Sequence, residues 1–422
     1  MKKQIYKLLL LSIVFTLLVG CAPSAPKESQ EETIKDNEIS FMIPDWGAPT
    51  PEMLDDFKEK TGITVQVLPT SWDDIRDKIS VAAAGNTIAA DVFEVDWSWV
   101  GEFQGADWLL PIELSEEDQK DIPTVGTFTI NDTIYAIPYA NDFRTAYYNK
   151  DIYSKAGITE APKTWEDVVN NAKNIKAQGI SEYPLSLPLN ADESATTTLF
   201  WLAYTRNGIV FNDDNSIHKD SILDALTLID RMNRDGLINP ANRNASGMDA
   251  YRQLTSGDAS FLVGPSSFVS RVNNPEESQV IDQVEPILLP GKESQSTATV
   301  PFPEAIGISK NTKNPEAAKE FVKWYTSKET QKKLNEELNT IPTRNSVLNE
   351  LIESGVIKNS GAMVELAKMV ESPFPNGVPK YYTKMSTEIF NVINQMANES
   401  LTPEEAANKI EENVAKVVEE NK

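Results

Sequence analysis

Short apolar strands alternate with capped amphipathic helices through most of this chain, and that alternation limits the fold more than any other feature. Ile39–Ile43 reads as a strand, and Pro44 to Ala48 as a loop after it. Thr50 then caps a helix, Pro51 takes its first position, and Gly62 stops it, with Met53, Leu54 and Phe57 as its apolar stripe. Ile63–Leu68 alternates as a strand, Ser71 and Asp74 form a capping box for a helix ending at Gly85, and Asp91–Val95 is a strand again. A hairpin is expected at Phe128–Ile130 and Thr133–Ile137, turning on Asn131-Asp132. Further on, Thr164 caps a helix at Trp165–Gln178, Tyr183–Leu187 and Ser260–Val263 read as strands, and Thr402 with Glu405 caps the last helix. Strands that alternate with helices build an α/β fold whose sheets are mostly parallel and covered on both faces. A chain of 422 residues exceeds one ordinary core, so two lobes are expected. In such folds ligands gather beyond the carboxyl ends of strands.

The first residues are of another kind. Met1–Lys7 is cationic, and Leu8–Val19 is an apolar run of 12 residues, of signal-peptide length and short for a bilayer span. The run ends Leu18-Val19-Gly20-Cys21, small residues before the chain's single cysteine, which resembles a bacterial lipobox. Cleavage before Cys21 and lipidation of its thiol would anchor the protein to the outer face of the cell membrane. Ala22–Lys35, rich in Pro, Ser, Lys and Glu, reads as a flexible tether. One cysteine excludes an intrachain disulfide, and one histidine, His218, removes most metal-site and histidine-base chemistry. The net charge is −24, and −27 once Lys2, Lys3 and Lys7 leave with the leader. That opposes binding to nucleic acid or to anionic lipid.

The stretch Tyr135 to Gly157 joins these patterns to chemistry. Tyr135, Ile137, Tyr139, Phe143 and Tyr147 recur at even spacing, with Asp142 and Arg144 inside the run. A strand that buries aromatics seldom carries charge unless the charge is used or paired. After Asn149 the pattern turns helical, and Gly157 ends it. The segment Tyr148-Asn149-Lys150-Asp151-Ile152-Tyr153-Ser154-Lys155-Ala156-Gly157, with an acid a few residues before it, resembles the lobe-crossing segment of family 1 extracellular solute-binding proteins. These are the sugar-binding components of ABC importers, of the maltose-binding kind. Tyr153 stands where Phe is usual. Val300–Ser309 resembles the family's second crossing, Asn314–Phe321 its usual companion, and Ile341-Pro342-Thr343-Arg344 its third. Gly264-Pro265-Ser266 carries Ser266 where the family often has an aromatic, which hints at a different or smaller ligand.

The resemblance implies a two-lobed type II binding fold with a three-crossing hinge. It places a signal peptide at residues 1–20, a tether at 21–38, one lobe at 39–143 with 300–342, and the other at 144–299 with 343–422. It implies no cofactor, no catalysis, and capture of a carbohydrate, expected to be a short oligosaccharide, by a monomer that delivers it to permease subunits. Carboxylates, Asn and Arg can take sugar hydroxyls, and aromatic faces can cover C–H faces. The candidates are Asp45 and Trp46, Asp96 with Trp97 and Trp99, Asp142 with Arg144, Asn190, Trp201, Ser266 and Tyr381. Asp142 leads, because it matches the family's ligand-binding acid. Each has a plainer reading: Asp45 caps a turn, Trp201 is core, and Arg144 pairs with Asp142. At most one of Trp97 and Trp99 faces the cleft, and at least one of Tyr381 and Tyr382 packs. Two alternatives stay open: the same fold holding a polyamine or other organic cation, and a secreted glycosidase using paired carboxylates. The chain shows no nucleophile elbow, metal cluster or P-loop.

Overall fold

A computed structural model describes residues 37–357 and 361–421. The leader, Cys21 and the tether lie outside the described residues. Among the described residues no helix is long and apolar enough to cross a membrane.

In chain order the strands are β1 (Glu38–Ile43), β2 (Thr64–Pro69), β3 (Val92–Asp96), β4 (Thr129–Ile130), β5 (Thr133–Ile134), β6 (Ala136–Ala140), β7 (Arg144–Asn149), β8 (Leu185–Ser186), β9 (Phe261–Pro265), β10 (Val284–Ile287) and β11 (Glu304–Ile308). The first lobe holds a five-stranded sheet in the order β2-β1-β3-β11-β6; the second holds four strands, β10-β7-β9-β8. In each sheet one strand runs against the rest, β11 in the first and β7 in the second. Both are the first strand laid down after the chain passes from one sheet to the other. β4 and β5 form the expected hairpin in shortened form, since Ile137 joins β6 in the large sheet, and Asn131 and Asp132 both take the left-handed conformation that a tight two-residue turn requires.

Most helices start where the sequence signals put them. Thr50 accepts the amide of Met53 and Gly62 closes the helix Pro51–Thr61 at φ 73°. Capping boxes form at Thr164 with Asp167 and at Thr402 with Glu405. One expected box does not form. The helix Trp72–Ala84 begins after Ser71, but the Ser71 hydroxyl caps nothing, because the turn closes through its carbonyl to the Asp74 amide at 2.9 Å. The strand expected at Tyr183–Leu187 shortens to Leu185–Ser186, because Pro184 and Pro188 on either side have no amide to give the ladder.

Aromatic rings pack the interior of each lobe. In the first, Phe41, Phe57, Phe321 and Tyr325 meet edge to face, with centroids 4.8 to 5.6 Å apart. In the second, the helix Glu193–Asn207 is buried on every side from Ala195 to Thr205, and Trp201 stacks on Trp165 at 5.7 Å. Three segments run between the sheets and are laced together where they pass. The Asn141 amide donates to the Ile341 carbonyl at 2.8 Å, the Phe302 amide to the Asp142 carbonyl at 2.6 Å, and the Thr343 hydroxyl to the Pro138 carbonyl at 2.8 Å. Backbone groups that would lose partners in an open hinge are satisfied by the neighbouring crossing.

Candidate functional site

The site begins with Arg144, the first residue of β7 and 6% exposed. Its Nη1 donates to Asp142 Oδ2 at 2.7 Å and its guanidinium lies over the Phe302 ring, 4.5 Å from the centroid. Its Nε has no partner among the described residues. Asp142 also accepts the Ser266 amide at 3.3 Å. Burial raises the Asp142 carboxyl, against the pull of Arg144.

Acids from other elements face this pair. Asp96 ends β3, directly opposite Glu304 at the start of β11. Asp96 accepts the Ser98 amide at 2.8 Å and also the Ser98 hydroxyl. Glu304 accepts the Trp46 indole at 2.7 Å and the Tyr139 hydroxyl at 2.9 Å. From the second lobe, Glu193 accepts Tyr382 at 2.5 Å and Ser386 at 2.6 Å. Burial, and after it neighbouring carboxylates, push Asp96, Glu193 and Glu304 up to about 7 against their neutral hydrogen-bond donors. Glu94, one layer along β3 and fully buried, is pushed well up by burial and by Glu304. Arg144 feels Asp96 as well as Asp142, and Glu193 feels Arg144. Among these groups Arg144 is the one cation. Such a set offers many acceptors and few donors, which suits a ligand rich in hydroxyl or amine hydrogens.

Aromatic rings complete it. Trp97, 4% exposed, packs on Phe302 at 4.7 Å and edge-on to Tyr382 at 4.8 Å, so a first-lobe loop meets the second lobe through these rings. Beside them is a cavity of about 210 Å3, lined by Trp72, Trp99, Ser98, Glu193, Tyr382 and Phe390 among others. The lobes also touch through Glu102, which takes Arg76 in two bonds of 2.8 and 3.0 Å and Thr383 at 2.9 Å. A larger cavity, about 520 Å3, lies on the first lobe between residues 111–115 and the helix Pro315–Tyr325. None of the residues of the Arg144 cluster lines it.

The sequence candidates therefore separate. Asp96, Asp142 and Arg144 come together, with Trp97 against them and Trp46 tied in through Glu304. Trp46 is 41% exposed, and Asp45 is exposed in the same turn. Trp99 packs on Trp72 at 4.8 Å and faces the smaller cavity. Trp201 is 1% exposed in the lobe core. Asn190, half-buried, donates to Asp192 at 3.0 Å just before the helix Glu193–Asn207. Ser266 is fully buried, and its hydroxyl donates to the Asn141 carbonyl at 2.9 Å, which fastens β9 to the first crossing. Tyr381 is half-buried beside the core, while its neighbour Tyr382 reaches Glu193. Sequence reasoning passed over Glu193, Glu304 and Phe302, and it took Tyr381 rather than Tyr382 as the candidate of that pair. The signal for two of them was present, since Phe302 and Glu304 sit inside the Val300–Ser309 crossing motif.

The model of the bacterial extracellular solute-binding protein family matches residues 43–332. A binding protein of Brucella abortus (strain 2308) is 23% identical over 317 residues, covering 72% of this chain and 76% of its own. Among solved structures, an ABC transporter solute-binding protein from Thermotoga lettingae bound with α-D-tagatose superposes with a TM-score of 0.78 at 23% identity, over 90% of this chain and 100% of that one. The maltose-bound MalE3 of T. maritima gives 0.75 at 22% identity, over 90% and 99%. Since the family model covers well over half of the chain, the protein belongs to the bacterial extracellular solute-binding protein family.

Proposed function

We propose that this protein is a lipid-anchored carbohydrate receptor that captures its solute between the lobes and hands it to the permease of an ABC importer. The observation that carries this reading is a set of four carboxylates from four separate segments: Asp96, Asp142 and Glu193 share the field of Arg144, which lies over the Phe302 ring, and Glu304 stands opposite Asp96. Carboxylates that accept from hydroxyls, with aromatic rings alongside, suit a sugar. Similar folds hold tagatose and maltose, and one of those proteins serves an ABC transporter. We assign residues 39–143 with 300–342 and residues 144–299 with 343–422 to the two moving lobes, hinged at the three laced crossings. Anchoring rests on Cys21 after its small-residue motif.

Thermal unfolding of the purified full-length protein against a panel of mono- and oligosaccharides tests the ligand class. A ligand at a hundred times its Kd adds about 2.7 kcal/mol of stability, an easily read shift. Absence of a shift with every sugar would overturn the carbohydrate assignment. Cys21→Ala is expected to release the protein from the membrane fraction, and retention there would overturn the anchor.

A further inference from the structure

Building on the interlobe site just described, we propose that the cavity walled by Trp72, Trp99, Tyr382 and Phe390, with Glu193 on its wall, is an aromatic cage for an organic ammonium group carried by the solute. The four rings come from both lobes: Trp72 and Trp99 from the first, Tyr382 and Phe390 from one helix of the second. The space is about 210 Å3, room for a substituted ammonium and its first carbons rather than for a chain of sugars. Aromatic faces attract a cation through their quadrupoles, most strongly where water is excluded, and Trp is the best of them.

The charges around the cavity point the same way. Glu193 is satisfied only by neutral donors, Tyr382 and Ser386. Asp96, reached through Ser98 on the same wall, and Glu304 beyond it are likewise held by neutral hydroxyl, amide or indole donors. None of these three carboxylates has an ion-pair partner among the described residues. Two cations stand near, and both are engaged. Arg144 pairs with Asp142, and Arg76, which lines the cavity, is held in two bonds by Glu102. A neutral solute would leave the buried carboxylates facing one another, whereas an ammonium offsets their repulsion. A solute with hydroxyls toward Asp142 and Glu304 and an ammonium in the cage satisfies both halves of the site.

The test compares matched ligands by calorimetry on the purified full-length protein. The probes are choline and its uncharged isostere 3,3-dimethyl-1-butanol, then glucosamine and glucose. Each ammonium is expected to bind at least roughly tenfold more tightly than its neutral partner, the scale of a desolvated cation–π contact. Glu193→Gln is expected to reduce that ratio to near one with the circular dichroism spectrum unchanged, and Trp72→Ala to weaken the ammonium probes about as much. Equal binding within both pairs, or no binding of either ammonium, overturns the cage. Binding of glucosamine that is indifferent to Glu193→Gln also overturns it, yet leaves the carbohydrate reading intact. Binding of choline with no sugar of any kind sustains the cage and overturns the carbohydrate reading.

Discussion

Asp142 and Arg144 hold each other in place. The 2.7 Å pair is 18% and 7% exposed in its side chains, so removing one partner leaves the other charged and largely buried. Breaking a buried pair costs about 3 kcal/mol or more. Asp142→Ala is therefore expected to lose both solute binding and about 3 kcal/mol of stability, read as a fall in the urea midpoint. Asp142→Asn keeps an acceptor for Arg144 and the Ser266 amide, and should recover part of the stability while binding stays weak. If the Ala variant were as stable as the parent, the pair would have no structural role. Trp201 is the opposite kind of residue. It is 1% exposed and stacked on Trp165, so Trp201→Ala is expected to cost about 3–5 kcal/mol and to leave solute affinity unchanged in whatever fraction folds.

At the level of elements, the local signals that act within a few residues were the legible ones. Thr402 with Glu405, Thr164 with Asp167, Gly62 and Asn131-Asp132 all did in the structure what their types allow. Thr402→Ala should cost about 1 kcal/mol, measured as a lowered denaturant midpoint, since it removes the acceptor for the Glu405 amide. Where a second, distant segment decides, the sequence was silent. Nothing near Glu304 says that it will sit opposite Asp96, because that register is set when β11 returns to the first sheet beside β3. Nothing near Glu193 says that it will cap a cavity with Tyr382, 189 residues away. The aromatic pairs were readable only as alternatives. Both Trp97 and Trp99 prove buried, one against Phe302 and the other against Trp72, since the chain between β3 and the helix Val100–Gly105 lies between the lobes. Ser266, in place of an aromatic, is small enough to let β9 reach the first crossing and bond to Asn141.

For the whole molecule, the contact between lobes joins tight packing to buried charge. Gly101 lies against the chain that leads into the helix Tyr382–Ala397. A Cβ there would stand 2.7 Å from the Val378 carbonyl oxygen, a clash with backbone that cannot swing aside. Gly101→Ala is expected to hold the lobes apart, weakening solute binding and raising the radius of gyration in solution scattering. The acids between the lobes set the pH behaviour. Asp96, Glu193 and Glu304 are raised out of the ordinary carboxylate range to about 7, first by burial. The folded protein thus keeps protons that the unfolded chain releases, so these groups favour folding most below about 4 and progressively less as pH rises to about 7. Asp224 works in the other direction: Arg206, Asn207 and Lys292 outweigh its burial and hold it well below the carboxylate range, so its contribution is lost only in strong acid. Stability should therefore decline between about pH 4.5 and pH 7, and then level off, when followed as the urea midpoint. Glu193→Gln cannot ionise and should flatten that decline in the same window. A variant curve parallel to that of the parent would show that Glu193 is already charged in the folded protein at acid pH.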